Sequence, residues 1–106
     1  MMTRAEQAYL EIKELKKSGI DVGDFDYISE YSSPDRDSAM TSRRHSLETG
    51  LCHKLLLTLP VRNATKDELL RVVKYYIVAL DGIKWKLDWK KAKADLGIDE
   101  LRKKYF

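Results

Sequence analysis

The sequence predicts a small all-α domain, and three features of the 106-residue chain support that class. Prolines occur only at positions 34 and 60, so few positions interrupt a helix. Apolar residues recur at helical spacing, and two capping boxes mark helix starts. No Asn-Gly or Asp-Gly pair is flanked on both sides by the alternation typical of strands. We expect a single helical domain over residues 1–106, a small bundle built on a long helical hairpin.

Two N-terminal helices are predicted before the hairpin. Thr3 and Glu6 form a capping box that starts the first of them, and Gly19 ends it. Its apolar residues return at helical spacing and are Ala5, Ala8, Tyr9, Ile12 and Leu15. Asp24 can cap a second, shorter helix. The inward residues of that second helix would be Phe25, Ile28 and Tyr31. We expect both helices to pack across the hairpin.

The first arm of the hairpin is predicted over residues 34–59. Ser33 can cap a helix that has Pro34 at its first position, and Pro60 is expected to stop it. The second half of this helix has an apolar face, which consists of Leu51, Cys52, Leu55, Leu56 and Leu59. The first half is polar, so we expect it to face solvent or a partner.

The polar segment 34–46, PDRDSAMTSRRHS, leaves two further interpretations open. Arg43 and Arg44 can contact nucleic acid, although nearby aspartates offset part of their charge and limit counterion release. Ser46 follows basic residues in a pattern typical of modification sites, but short motifs of this kind also arise by chance.

The second arm is predicted as one helix over residues 66–96. A capping box formed by Thr65 and Glu68 opens it. Apolar residues then alternate steps of four and three, with one lysine among them: Leu69, Val73, Tyr76, Leu80, Ile83, Leu87, Lys90 and Ala94. Gly82 inside a helix costs about 1 kcal/mol, whereas each buried apolar side chain contributes ~1.5 to 3 kcal/mol. A continuous helix is therefore favoured over a break at Gly82, or over a strand at 83–89 that has no evident partner.

The length of that helix predicts a homodimer. A helix of about 31 residues is ~46 Å long, while a compact domain of this size is only about 33 Å across. A second copy of the chain is expected to cover the part that one domain leaves bare. The candidate interface residues are Leu69, Val73, Tyr76, Leu80, Ile83, Leu87, Trp85 and Trp89.

The net charge of +3 conceals a gradient along the chain. Residues 1–42 contain five Lys or Arg and nine Asp or Glu, and residues 43–106 contain fifteen and eight. Such asymmetry can attract an anionic partner, or can draw the two halves of one fold or of two copies together. The candidate polyanion-binding residues are Arg43, Arg44, Lys84, Lys86, Lys90, Lys91, Lys93, Arg102, Lys103 and Lys104.

The C-terminal segment 92–106 has two interpretations. It has the helix, glycine turn and helix order of a DNA-binding helix-turn-helix, with a very short second helix. It can also be an amphipathic cap that packs Leu101 and Tyr105 inward. Trp85 and Trp89, interleaved with lysines, can likewise belong to the core or an interface, or stack on nucleic-acid bases.

Residues for catalysis or metal binding are scarce. Cys52 is the single cysteine, and its apolar neighbours predict a buried thiol. His45 and His53 are eight positions apart, about 80° around a helix, which is not the i, i+4 spacing of zinc sites. The sequence contains no phosphate loop and no nucleophile elbow. We therefore expect no enzymatic activity, no cofactor, no metal and no small-molecule substrate.

The function expected from these features is that of a non-enzymatic interaction or scaffolding module, homodimeric and bound to another protein. The alternative is a small nucleic-acid-binding accessory protein that uses the basic C-terminal helices. No apolar run is long enough for a membrane span, and glutamates occupy the N-terminal positions where a signal peptide needs apolar residues. A cytoplasmic location with no membrane partner is expected.

Overall fold

In the computed structural model of the chain, the described residues are 40–81 and 87–106, together with Leu10, Lys13, Glu14, Lys17 and Tyr31. They form four helices, which are α1 (Ser42–Val61), α2 (Lys66–Asp81), α3 (Trp89–Asp95) and α4 (Ile98–Tyr105). The prediction of an all-α fold built on a helical hairpin is confirmed, because α1 packs along α2 more extensively than any other two helices meet. The predicted N-terminal helices lie outside the described residues, apart from the five single residues named above.

Helix α1 begins at Ser42, later than the start predicted at Pro34. Thr41 has an extended backbone, with φ −70° and ψ 161°, so the helix cannot continue back through it. Its Oγ1 accepts a hydrogen bond from the Arg44 backbone N–H at 3.2 Å, which satisfies one of the free donors of the first turn. The predicted start is therefore wrong for this helix. Thr41 is the residue that caps it.

The end of α1 is set by Asn63, although Pro60 was the predicted stop. Asn63 is left-handed, with φ 59°. The backbone N–H of Asn63 donates to the Pro60 carbonyl at 3.3 Å, and that of Ala64 donates to the Leu59 carbonyl at 3.0 Å. This pair of bonds is a Schellman motif, which satisfies carbonyls left without helical partners. The helix therefore runs through Pro60 to Val61.

The start of α2 is the predicted capping box. The Glu68 backbone N–H donates to Thr65 Oγ1 at 3.1 Å, and the Thr65 backbone N–H donates to Glu68 Oε1 at 3.0 Å. The C-terminal end of α4 adds two donors to the same carboxylate, Tyr105 Oη at 2.8 Å and Lys104 Nζ at 3.1 Å. These bonds, led by the one from the Thr65 backbone and then the one from Tyr105, lower the pKa of Glu68 to about 2. The capping box therefore also fastens α4 to α2.

The predicted continuous helix over 66–96 is wrong. Helix α2 ends at Asp81, and Leu87 and Asp88 are not helical. The Asp88 backbone N–H donates to the Tyr31 carbonyl at 2.7 Å, and Asp88 Oδ1 accepts from the Lys91 backbone N–H at 3.2 Å, which caps α3. Leu87 is nevertheless fully buried. The apolar side chains that a continuous helix was expected to bury are thus buried without it, Leu87 from a non-helical position and Trp89 from the separate helix α3.

This break removes the reason for expecting a second copy. Helix α2 has 16 residues and is about 24 Å long. The chain measures 39 × 32 × 28 Å, so α2 fits within one molecule. The homodimer stays a prediction, but the length of the second arm no longer supports it.

The core lies between the hairpin and the two C-terminal helices. Helices α3 and α4 pack on α2, and α4 also meets α1. Leu96 and Gly97 join α3 to α4. Gly97 has a φ of 63°, which suits glycine. Arg71 Nη1 donates a hydrogen bond to the Leu96 carbonyl at 3.3 Å. Leu101 is buried and Tyr105 is partly buried, as predicted for an amphipathic segment at 92–106. The largest fully buried side chains include Tyr75, Tyr76, Met40, Leu55, Leu59, Leu87 and Ile98.

Glu68 should contribute to stability at pH values where an ordinary glutamate has lost its charge. A lowered folded-state pKa means that the contribution is complete above about pH 4.5 and is lost as pH falls through about 2. A carbon-detected NMR titration of the Glu68 carboxyl group should give a midpoint near 2. Between about pH 6 and pH 2, Glu68→Gln should lose less stability than the original chain in urea unfolding, because glutamine keeps the capping geometry without the charge. A carboxyl midpoint near 4.5 would contradict this account.

Candidate interaction surfaces

The residues predicted to join two copies lie mostly inside one chain. Leu69, Val73, Tyr76, Leu87 and Trp89 are buried in the core, and Leu80 is partly buried against it. Ile83 and Trp85 lie outside the described residues. Pairing two copies along this seam would require the core to open. Any partner would therefore contact other residues.

A buried carboxylate links three helices. The Glu48 side chain, on α1, is only 3% exposed. Its Oε2 accepts from Tyr75 Oη of α2 at 2.9 Å, and its Oε1 accepts from Lys93 Nζ of α3 at 2.9 Å. Arg44, one turn earlier on α1, approaches Oε1 at 3.5 Å. A buried charge must be paired and hydrogen-bonded, and Glu48 meets both conditions.

The groups around Glu48 include a phenol and a thiol whose pKa values are raised. Burial, followed by the charge of Glu48, raises the pKa of the Tyr75 phenol, so that it remains a hydrogen-bond donor. Burial also raises the pKa of the Cys52 thiol well above 9.0, and the nearby Glu48 adds to that effect. A fully buried thiol with a raised pKa is a poor nucleophile. The prediction of a buried Cys52 is confirmed.

The predicted basic residues divide into exposed and structural groups. Lys93 is structural, because its side chain is 17% exposed and pairs with Glu48 and with Asp99 at 3.7 Å. Lys104 is 62% exposed but pairs with Glu68, and that hydrogen bond raises the pKa of Lys104. Lys84 and Lys86 lie outside the described residues. The remaining predicted residues are exposed and are Arg43, Arg44, Lys90, Lys91, Arg102 and Lys103.

Trp89 brings two of the predicted basic segments together. The Arg44 guanidinium lies 5.0 Å from the centre of the Trp89 ring, and Lys90 Nζ lies 5.7 Å from the same ring. Cations at these distances are attracted to an aromatic face. Because Trp89 is itself buried, its ring anchors these cations and offers little surface for base stacking.

A stripe on the solvent side of α1, here called the outer face, was not predicted from the sequence. Its exposed apolar members are Leu47, Leu57 and Val61, with exposed fractions of 56%, 59% and 80%. The complete stripe repeats at steps of four and three and consists of Arg43, Leu47, Gly50, Lys54, Leu57 and Val61. The signal was present in the sequence, because these positions lie opposite the apolar face that contains Cys52, Leu55 and Leu59. The apolar residues of this stripe do not belong to the core formed by the described residues.

Two features adjoin the outer face. Near the start of α1, a cleft of about 280 Å³ is lined by Thr41, Arg43, Arg44 and Leu47. Farther along, Lys54 Nζ lies 4.4 Å from the ring centre of Phe106, which is 48% exposed. The cleft and Phe106 therefore border the outer face.

Other kinds of site find no support in the described part of the chain. No group of three or more His, Cys, Asp or Glu side chains there is arranged to hold a metal ion. Among the same residues, no helix has both the length and the apolar character needed to span a bilayer.

Lys93 should matter for stability far more than its exposed neighbour Lys90. Lys93→Ala removes the closest charged partner of a buried carboxylate and should lower the free energy of unfolding by about 3 kcal/mol. Lys90→Ala, on the same helix, removes only an exposed contact with Trp89 and should change it by less than about 1 kcal/mol. Urea unfolding followed by circular dichroism measures both. Equal losses in the two variants would contradict the role assigned to Glu48.

Comparison with known proteins adds no residue to these surfaces. No protein-family model matches the sequence, and neither a curated protein nor a solved structure matches it significantly. The choice between the surfaces therefore rests on the geometry and chemistry of the described residues.

Proposed function

We propose that this chain is a non-enzymatic protein-interaction module that binds a partner helix through the outer face of α1. The observation that carries the proposal is the exposure of Leu47, Leu57 and Val61 on one side of one helix. Single exposed apolar residues are ordinary, but apolar residues that share a stripe are typical of binding surfaces.

The spacing of the outer face favours a helix as the bound element. Steps of four and three keep a stripe facing one direction along a helix, and a second helix with the same spacing can pack against it. In helix-in-groove recognition, anchors at these intervals supply the contact area. Gly50, near the middle of the stripe, has no side chain to hold a partner backbone away.

Site-specific photo-cross-linking tests the proposal. The chain would carry a photoreactive residue at position 57 and would be produced in cells of the organism that makes it. On irradiation, this residue should capture a partner protein or a second copy. The same residue at position 103, on the exposed side of α4, is the matched control and should capture less of that protein. Leu57→Glu combined with Val61→Glu should abolish capture from a photoreactive residue at position 47 and leave the fold intact, because both side chains are exposed. Equal capture from positions 57 and 103 would contradict the proposal.

A second candidate function, nucleic-acid binding, is favoured by the cluster around Trp89. Arg44 and Lys90 meet at the Trp89 ring although they are far apart in sequence, and Arg43 and Lys91 are exposed beside them in the chain. Exposed cations of this kind contact phosphates and release counterions on binding. Because the Trp89 ring is buried, we expect the protein to contact the sugar-phosphate backbone of the nucleic acid and to make little contact with the bases.

The salt dependence of duplex DNA binding tests this second function. If Lys90 and Lys91 contact phosphates, replacing both with Gln should make the slope of log K against log salt less negative by about 1.8. Arg102→Gln with Lys103→Gln removes the same charge from α4 and serves as the control. If the Arg102 and Lys103 substitutions change the slope as much as the Lys90 and Lys91 substitutions do, the cluster around Trp89 is rejected as the binding site. The function itself is rejected if the original chain retards no duplex at low salt.

A further inference from the structure

We infer that the partner of the outer face is an acidic amphipathic helix from another protein. This inference rests on the proposed function and adds the chemistry of the partner. It is carried by the distribution of charge on α1, together with the spacing and exposure described above.

The surface of α1 carries cations and no exposed anion. Glu48 is the single acidic residue in α1, and it is buried. The outer face itself includes Arg43 and Lys54, and Arg44 lies beside it in the cleft that Arg43 and Leu47 also line. A partner with carboxylates beside its apolar stripe would meet opposite charges along the length of α1.

Arg43 and Lys54 are free to pair with such carboxylates. Within the described residues neither Arg43 nor Lys54 forms an ion pair, and Lys54 lies over the ring of Phe106. Both lie on the apolar stripe, so binding would bring partner carboxylates next to them as Leu47 and Leu57 become covered. In coiled coils, a lysine within the apolar seam and charges that flank it select the partner and its register.

A second copy of this chain fits the surface less well. Two outer faces packed together would bring Arg43 and Lys54 of each copy into one interface that contains no acidic residue from α1. Like charges brought together oppose binding. Self-association through this face is therefore an outcome that would contradict the inference.

Designed peptides test the charge preference. Three helical peptides of about 21 residues, with leucines at steps of four and three, would carry Glu, Gln or Lys at the positions flanking the stripe. In titrations followed by fluorescence anisotropy, the Glu peptide should bind at least about tenfold more tightly than the Lys peptide. That advantage should shrink as salt rises from about 50 mM to about 500 mM, because screening weakens exposed ion pairs.

Variants of the chain separate the charge from the docking face. Arg43→Gln with Lys54→Gln should reduce the preference for the Glu peptide, while Arg102→Gln with Lys103→Gln, the charge-matched control on α4, should retain it. Leu57→Gln with Val61→Gln should weaken binding of all three peptides. Circular dichroism of each variant establishes that it is folded.

The possible results distinguish the inference from the proposed function. Equal affinity for the Glu and Lys peptides, with binding that still depends on Leu57 and Val61, would overturn the acidic partner and leave the docking face standing. Failure of every peptide to bind would overturn both. Light scattering that finds a dimer dissociated by Leu57→Gln with Val61→Gln would replace the acidic partner with a second copy.

Discussion

The buried carboxylate of Glu48 is the interaction on which the arrangement of α1, α2 and α3 depends. Burying a carboxylate is unfavourable by several kcal/mol unless its oxygens are hydrogen-bonded and its charge is paired. Tyr75 and Lys93 supply those contacts from two other helices, each at 2.9 Å. If α1 slid along α2, or α3 left its position, the carboxylate would lose a partner. The two bonds therefore set the register of the hairpin and the place of α3 more specifically than apolar contacts do.

The same residue determines the character of the surface. Because the single acidic side chain of α1 is directed into the core, the solvent side of that helix carries arginine, lysine and apolar residues with no anion among them. The buried position of Glu48 therefore has two consequences, an ion pair with Lys93 inside the fold and a positively charged solvent side of α1. Helix α1 uses one side for the core, through Cys52, Leu55 and Leu59, and its other side is the exposed outer face.

The local signal that opens α2 was confirmed, whereas the predicted start of α1 was wrong and the long-range contacts of the fold were not predictable in the same way. Thr65 and Glu68 are three residues apart, so their capping box could be recognised without knowing the rest of the fold. Glu48 contacts Tyr75 and Lys93, which are 27 and 45 residues away, and no local pattern identifies such a pairing. The false helix over 66–96 has a different origin. Leu87 continued the helical spacing and is buried, but spacing does not report whether the backbone between two buried residues is helical. Asp88 was a usable signal for a new start, since Asp is a favoured N-cap.

Arg44 lies beside the outer face and also contacts Glu48. The strength of its contact with Glu48 decides whether binding a partner through Arg44 would destabilise the fold. Arg44 is about half exposed and lies 3.5 Å from Glu48, so that contact contributes no more than about 1 kcal/mol. Lys93, at 2.9 Å and largely shielded from solvent, remains to neutralise the carboxylate if Arg44 turns away. A partner carboxylate can therefore recruit Arg44 with little loss of stability, whereas recruiting Lys93 would expose Glu48 to the full penalty of an unpaired buried charge. The cations available to a partner are therefore those that do not contact Glu48, together with the half-exposed Arg44. The number of basic residues in the sequence does not indicate which of them are buried in ion pairs.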